Sequence, residues 1–122
     1  MKPAAQSGSA AASDPARASG LAAALDVLWT RFLPEIRERV ALLESAAVAC
    51  AANQLSTPQR EAAHAAAHKL AGTLGTFNLP GGTALARELE LRFALDATLD
   101  AASAERLTSI AAELRTLVDS RK

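Results

Sequence analysis

The chain has 122 residues, half of them hydrophobic, and its 13 basic and 13 acidic side chains leave a formal charge of zero. That length supports one domain with one modest core. The balanced charge speaks against a nucleic-acid or membrane surface, since both usually need a basic excess. Alanine makes up about a quarter of the residues, aromatics only 3%, and tyrosine is absent. Alanine is the best helix former and a poor strand former, so composition favours an all-α fold.

Residues 1 to about 19 are rich in Ala, Ser, Gly and Pro with few large apolar groups. Such a stretch cannot offset its ordering entropy by burial and is expected to be a disordered tail or interdomain linker, with the domain proper at 20–122. A helical pattern starts at Leu21, where Leu21, Leu25, Leu28 and Trp29 share a face. Pro34 starts a new helix or kinks a continuing one. Ile36, Val40, Leu43 and Ala47 form the next stripe, and Asn53-Gln54 followed by Ser56-Thr57-Pro58 ends it. Thr57 is the expected N-cap of a helix from Pro58 to Asn78, with Pro58 at its first position. Pro80-Gly81-Gly82 is read as its stop. A further helix is expected over Thr83 to Leu95, with Leu85, Leu89 and Phe93 as its stripe. After a turn over Asp96 to Ala102, the last helix begins near Ser103. It carries Leu107, Ile110, Ala111, Leu114, Leu117 and Val118 in the three-and-four rhythm of a bundle seam. The expected fold is an antiparallel four-helix bundle with an additional N-terminal helix.

The informative segment runs from Glu61 to Leu79, EAAHAAAHKLAGTLGTFNL. An α-helix turns about 100° per residue. With His68 as the zero direction, Leu70 lies near ~200°, Leu74 near ~240°, Phe77 near ~180°, Ala63 near ~220° and Ala66 near ~160°. The large apolar groups lie opposite His68, which therefore faces solvent. Gly72, near ~40°, and Gly75, near ~−20°, share the face of His68, with Ala65 and Ala71 flanking the strip. Each glycine on an exposed helix face costs roughly 0.5–1 kcal/mol against alanine. A bare patch beside an exposed imidazole brings no stability, but it lets another protein's active site reach the ring. Phosphoryl transfer needs in-line access at atomic contact. Neutral imidazole, abundant near pH 7, is a good nucleophile, and the phosphoramidate it forms passes its phosphoryl group on readily.

His68-Lys69-Leu70-Ala71-Gly72, followed by Gly75, Thr76, Phe77 and Leu79, resembles the signature of histidine-containing phosphotransfer (Hpt) domains. These are four-helix bundles of two-component phosphorelays, with the pattern H-x-L-K-G and small residues after it. The resemblance implies that His68 is the phosphorylated histidine, Leu70 a buried leucine and Gly72 the glycine that clears the docking face. Leu85, Ala86, Glu88, Leu89 and Glu90 also resemble the family's next helix. The overall likeness covers about residues 21 to 120, and its specific part is Ala67 to Glu90. One departure stands out: the family commonly has lysine where this chain has Ala71. Lys69, on the other side of the imidazole, is a candidate to supply the charge.

The resemblance implies a phosphocarrier without kinase activity of its own, passing a phosphoryl group between a histidine kinase or receiver domain and a response-regulator aspartate. The docking surface would comprise His64, Ala65, Lys69, Ala71, Gly72, Gly75 and Thr76. No cofactor is expected on this chain, and magnesium belongs to the partner receiver. No nucleic-acid or membrane partner is expected, and the chain is expected to be a monomer. No run approaches the ~20 apolar residues of a membrane span, and Lys2 is not followed by a leucine-rich stretch. With Cys50 as the single cysteine, a reducing, cytoplasmic location is expected and an internal disulfide is excluded. Cys50, after Val48 and Ala49, reads as a buried structural thiol.

Two other readings stay open at this level. His64 and His68 stand at an i, i+4 spacing known from metal sites, and Glu61-Ala62-Ala63-His64 fits the Glu-x-x-His of bundle di-metal centres. However, the face points outward and no second copy occurs. His64 is otherwise a rim residue of the docking patch or plain solvated surface. The broader alternative is a scaffolding bundle that binds a partner without chemistry.

Overall fold

A computed structural model describes residues 15–121. They form four helices and no strand: α1 (Pro15–Ala51), α2 (Thr57–Thr76), α3 (Pro80–Phe93) and α4 (Ala101–Ser120). The described residues divide into two compact units, 15–31 and 32–121. The expectation of a tail over residues 1 to about 19 lies mostly outside the described residues. Residues 15–19 are helical, because Pro15 has the backbone angle of a first helical position and Ala16 and Ala18 favour the turn that follows. Pro34 lies inside α1 and divides nothing. The expected additional helix is therefore an N-terminal extension of α1. In residues 15–31 Leu21 and Val27 are exposed.

In residues 32–122 the last part of α1 and helices α2 to α4 form a helical bundle. Its core holds Ile36, Val40 and Leu43 of α1, Leu70 and Leu74 of α2, Leu89 and Phe93 of α3, and Leu107, Ile110 and Leu114 of α4, all fully buried. Helix α2 packs on α3, and α3 on α4. The α2–α3 connection is only three residues long, which forces the two to run antiparallel. Leu85, expected in the α3 stripe, is only half-buried, and Gly82 and Ala86 take the inner positions.

Both turns that reverse the chain early rest on asparagine. Asn53 and Asn78 each adopt φ of 57°. At the first, Gln54 N–H donates to the carbonyl of Ala49 at 2.8 Å. At the second, Leu79 N–H donates to that of Leu74 at 3.0 Å. This left-handed C-cap closes a helix without glycine, because the short amide side chain tolerates the conformation. Asn78, not Pro80, is thus what stops α2. Pro80 instead opens α3, at a position where its missing N–H has no partner to lose. The cap of α2 is Ser56 rather than Thr57: its Oγ accepts from Gln59 N–H at 3.2 Å. Helix α4 starts at Ala101, ahead of the expected Ser103, because Asp100 caps it by accepting from Ser103 N–H at 2.9 Å. That bond also holds the Asp100 carboxyl below its ordinary pKa.

Arginines tie the elements together. Arg115 reaches from α4 to Glu44 of α1 at 2.5 and 3.2 Å. Arg37 meets Asp119, and Arg39 meets Glu35. Arg106 of α4 grips Glu88 of α3 with two bonds, at 2.7 and 2.8 Å, and Arg92 adds a third at 2.8 Å. Those bonds, from Arg106 first, hold the Glu88 carboxyl down at about 2. Arg60, at the start of α2, donates to the carbonyls of Phe93, the last residue of α3, and of Ala94 and Ala97 just beyond it. Arg121 lies over the ring of Phe77, 5.7 Å from its centroid, and Phe32 meets that ring edge-on at 6.2 Å.

Candidate functional site

His68 stands in the middle of α2 with its side chain 70% exposed. The buried residues of α2 explain why. Ala63, Ala66, Leu70, Leu74 and Phe77 lie inside as the helical rotation requires, but so do Ala67 and Ala71. Those two turn the buried arc toward α3. His68 therefore sits at the edge of that arc, leaning toward α3 rather than facing squarely away from the core. Glu90 of α3 meets it there: the His68 Nδ1 to Glu90 Oε2 distance is 2.7 Å, a length typical of charge-assisted hydrogen bonds. Glu90 is itself mostly covered, 21% exposed. A carboxylate can only accept, so Nδ1 carries the proton in this bond, and in the neutral ring the lone pair stands on Nε2.

C-terminal to His68 the α2 surface is bare. A Cβ placed on Gly72 would meet nothing within 4 Å, and one on Gly75 only the Thr83 hydroxyl at 3.6 Å. Neither glycine is required by packing. Gly82 is the opposite case. A Cβ there would stand 2.8 Å from a Leu74 methyl and 3.1 Å from one of Leu117, so its absence lets α3 approach α2 and α4 closely. Ala65, Lys69, Gly72, Gly75 and Thr76 are all exposed, and Thr76 turns its hydroxyl back to the Gly72 carbonyl at 3.2 Å. Ala71 must be removed from the expected docking surface. It is 3% exposed, because α3 covers it and Thr83 Oγ1 reaches its carbonyl at 3.4 Å. On a sheer rotation Ala71 flanks the strip, but α3 lies on that flank.

The family profile of the Hpt domain matches residues 27–121. The chain belongs to the Hpt family. Hpt domains are phosphocarrier modules of two-component phosphorelays, working with histidine kinases and receiver domains. Protein RcaC of Microchaete diplosiphon is 39% identical over 66 residues, which are 54% of this chain and 10% of that protein. The chain thus spans about a tenth of the length of that curated relative. No solved structure matches.

Within this Hpt domain His64 does not join His68 in a cluster. It is half-buried and borders a shallow hollow with Glu61, Ala94 and Leu95. Among the described residues no three His, Cys, Asp or Glu side chains converge as a metal site. Cys50 is half-buried, and desolvation raises its thiol pKa, which makes it a poor nucleophile. No helix among the described residues is long and apolar enough to cross a membrane. Sequence reasoning placed Glu90 in the right helix and gave it no role. Its signal was the i, i+4 and i, i+3 stepping of Ala86 and Glu90 around the buried Leu89 and Phe93, which sets Glu90 on the α2 side.

Proposed function

We propose that this Hpt domain accepts a phosphoryl group on Nε2 of His68 and donates it onward to a receiver aspartate. The observation that carries the reading is the hydrogen bond from His68 Nδ1 to Glu90, which leaves Nε2 as the free nucleophile on an exposed ring beside a bare helix face. The Nε2 lone pair attacks the phosphorus of the donor's phosphorylated aspartate or histidine. The bond from phosphorus to the donor atom breaks, and its electron pair stays with the donor. The ring becomes a phospho-imidazolium, whose positive charge faces the Glu90 carboxylate. The reverse displacement hands the group on. Gly72 and Gly75 let the partner's active site close over the ring, which gives in-line approach without a protruding side chain.

The chain's own residues supply nucleophile, orientation and surface. The partner supplies the acceptor carboxylate and the magnesium ion with the acids that hold it, so this domain acts as a carrier and not as a kinase. Residues 20–122 then make up the carrier domain, which acts as a monomer in the cytoplasm. To test the reading, the protein is incubated with a receiver domain phosphorylated by acetyl phosphate, or with a histidine kinase and ATP. Label should appear that is stable in base, lost in acid and absent from His68→Gln. A scaffold without chemistry takes no label.

A further inference from the structure

Two observations single out Arg87. First, every other arginine of residues 32–121 has a carboxylate, a carbonyl or an aromatic ring as partner. Among the described residues no hydrogen bond or ion pair engages the exposed side chain of Arg87. Second, its position on α3 is fixed by contacts on either side. Glu90 meets His68 at 2.7 Å, and Thr83 lies 3.6 Å from where a Gly75 Cβ would stand. Residues 83 to 90 of α3 therefore run alongside residues 75 to 68 of α2. Arg87, about 4.5 Å from Glu90 along the axis, stands level with Ala71 and Gly72. It borders a hollow that also includes Gly75, Leu79 and Thr83. On the opposite side of the glycine strip stands Lys69, exposed, its ammonium likewise without a partner among the described residues. The bare strip is thus straddled by two uncommitted cations from two different helices.

We infer that Arg87 is a docking residue: its guanidinium receives an acidic side chain on the rim of the partner's phosphoacceptor site. A site that holds magnesium must present carboxylates around the phosphoacceptor, and a partner closing over Gly72 and Gly75 brings that acidic rim down between Lys69 and Arg87. Arginine suits this because its planar fork meets a carboxylate with two parallel bonds and is held by a rigid helix. Arg87 stands beside the strip, about one helical turn or ~5 Å along the axis from His68, and Glu90 is the α3 residue that meets the imidazole, so Arg87 acts on encounter and residence rather than on the phosphoryl group.

This inference rests on the proposed transfer at His68, and the experiment separates the two. From a panel of receiver domains phosphorylated with acetyl phosphate and magnesium, the one exchanging fastest with the wild-type chain is taken. Its single-turnover transfer rate is measured against receiver concentration, at low and high salt. If no receiver labels the wild type at His68, the transfer reading has failed and this inference falls with it. With wild-type labelling in hand, Arg87→Glu should raise the half-saturating receiver concentration roughly fivefold at low salt and much less at high salt. The rate at saturation should hold, and Arg87→Lys should recover part of the loss. Helicity and melting temperature should not change. An unchanged half-saturating concentration in Arg87→Glu, or a fall confined to the saturated rate, overturns the assignment.

Discussion

Helix α3 carries two glutamates, two residues apart, that face opposite neighbours. Glu88 points to α4 and is held by Arg106 and Arg92 through three hydrogen bonds. Glu90 points to α2 and meets one side chain, the exposed His68. The first carboxylate has partners that are permanently charged and never exchange, so its charge serves stability. The second has a partner whose charge changes during the proposed reaction, so its charge is at the disposal of chemistry. One helix thus separates a saturated flank from a flank left open, and the glycines follow the same division. Gly82 is closed in by Leu74 and Leu117, whereas Gly72 faces nothing.

The sharpest way to break the comparison is at the open flank. His68→Gln should abolish phosphoryl labelling with helicity unchanged, while His64→Gln should retain most of it. Labelling that survives in His68→Gln would falsify the division of roles. Gly72→Gln should fold normally and lose exchange with a receiver, because its bulk blocks approach. Gly72→Ala should gain up to about 1 kcal/mol of stability. Unfolding of Gly72→Gln would put this glycine in the class of Gly82.

Next in size is Glu90→Gln, which keeps an acceptor for Nδ1 and removes the charge. A charge-assisted bond exceeds a neutral one by roughly 1.5 kcal/mol, so transfer should slow about tenfold with stability little changed. Single-turnover labelling gives the rate and thermal melting the control. The same substitution on the closed flank, Glu88→Gln, should do the reverse: transfer kept, melting temperature down by a few degrees, in keeping with about 1 kcal/mol or less for a partly exposed pair. Because the Glu88 carboxyl is held at about 2 against 4.5 in the unfolded chain, its stabilisation is fully present above pH 4.5. It is lost as pH falls from there through 2, where wild type and Glu88→Gln should converge. Gly82→Ala should cost about 1–2 kcal/mol, the overpacking against Leu74 and Leu117 outweighing the gain in helix propensity. A stabilised Gly82→Ala would show that the contact relaxes freely.

The sequence made the helical class, the core stripes of Ile36–Ala47 and Leu107–Val118, and the exposure of His68 legible, because each depends only on spacing within one helix. What stayed hidden depends on a second element. Ala71 was placed on the surface because rotation about α2 says nothing of α3 covering that flank. Glu90 and Arg60 were passed over for the same reason: their partners are 22 and 33 to 37 residues away. The α2–α3 boundary was misplaced for a local reason. Proline is a strong punctuation mark, but here it opens a helix, and the quieter Asn78 closes one.

The clasp of Arg60 on three carbonyls has a mechanical consequence. Two packed helices can slide along each other at little cost where the side chains between them are small, and the α2–α3 contact contains Ala67, Ala71, Gly82 and Ala86. A slip of one residue moves a side chain by about 1.5 Å, enough to stretch and misalign the short bond between Glu90 and the imidazole. Arg60 fastens the beginning of α2 to the end of α3, and the three-residue turn through Asn78 fastens the other ends. The pair behaves as a ruler pinned at both ends, with the histidine and its carboxylate as matching graduations near the middle.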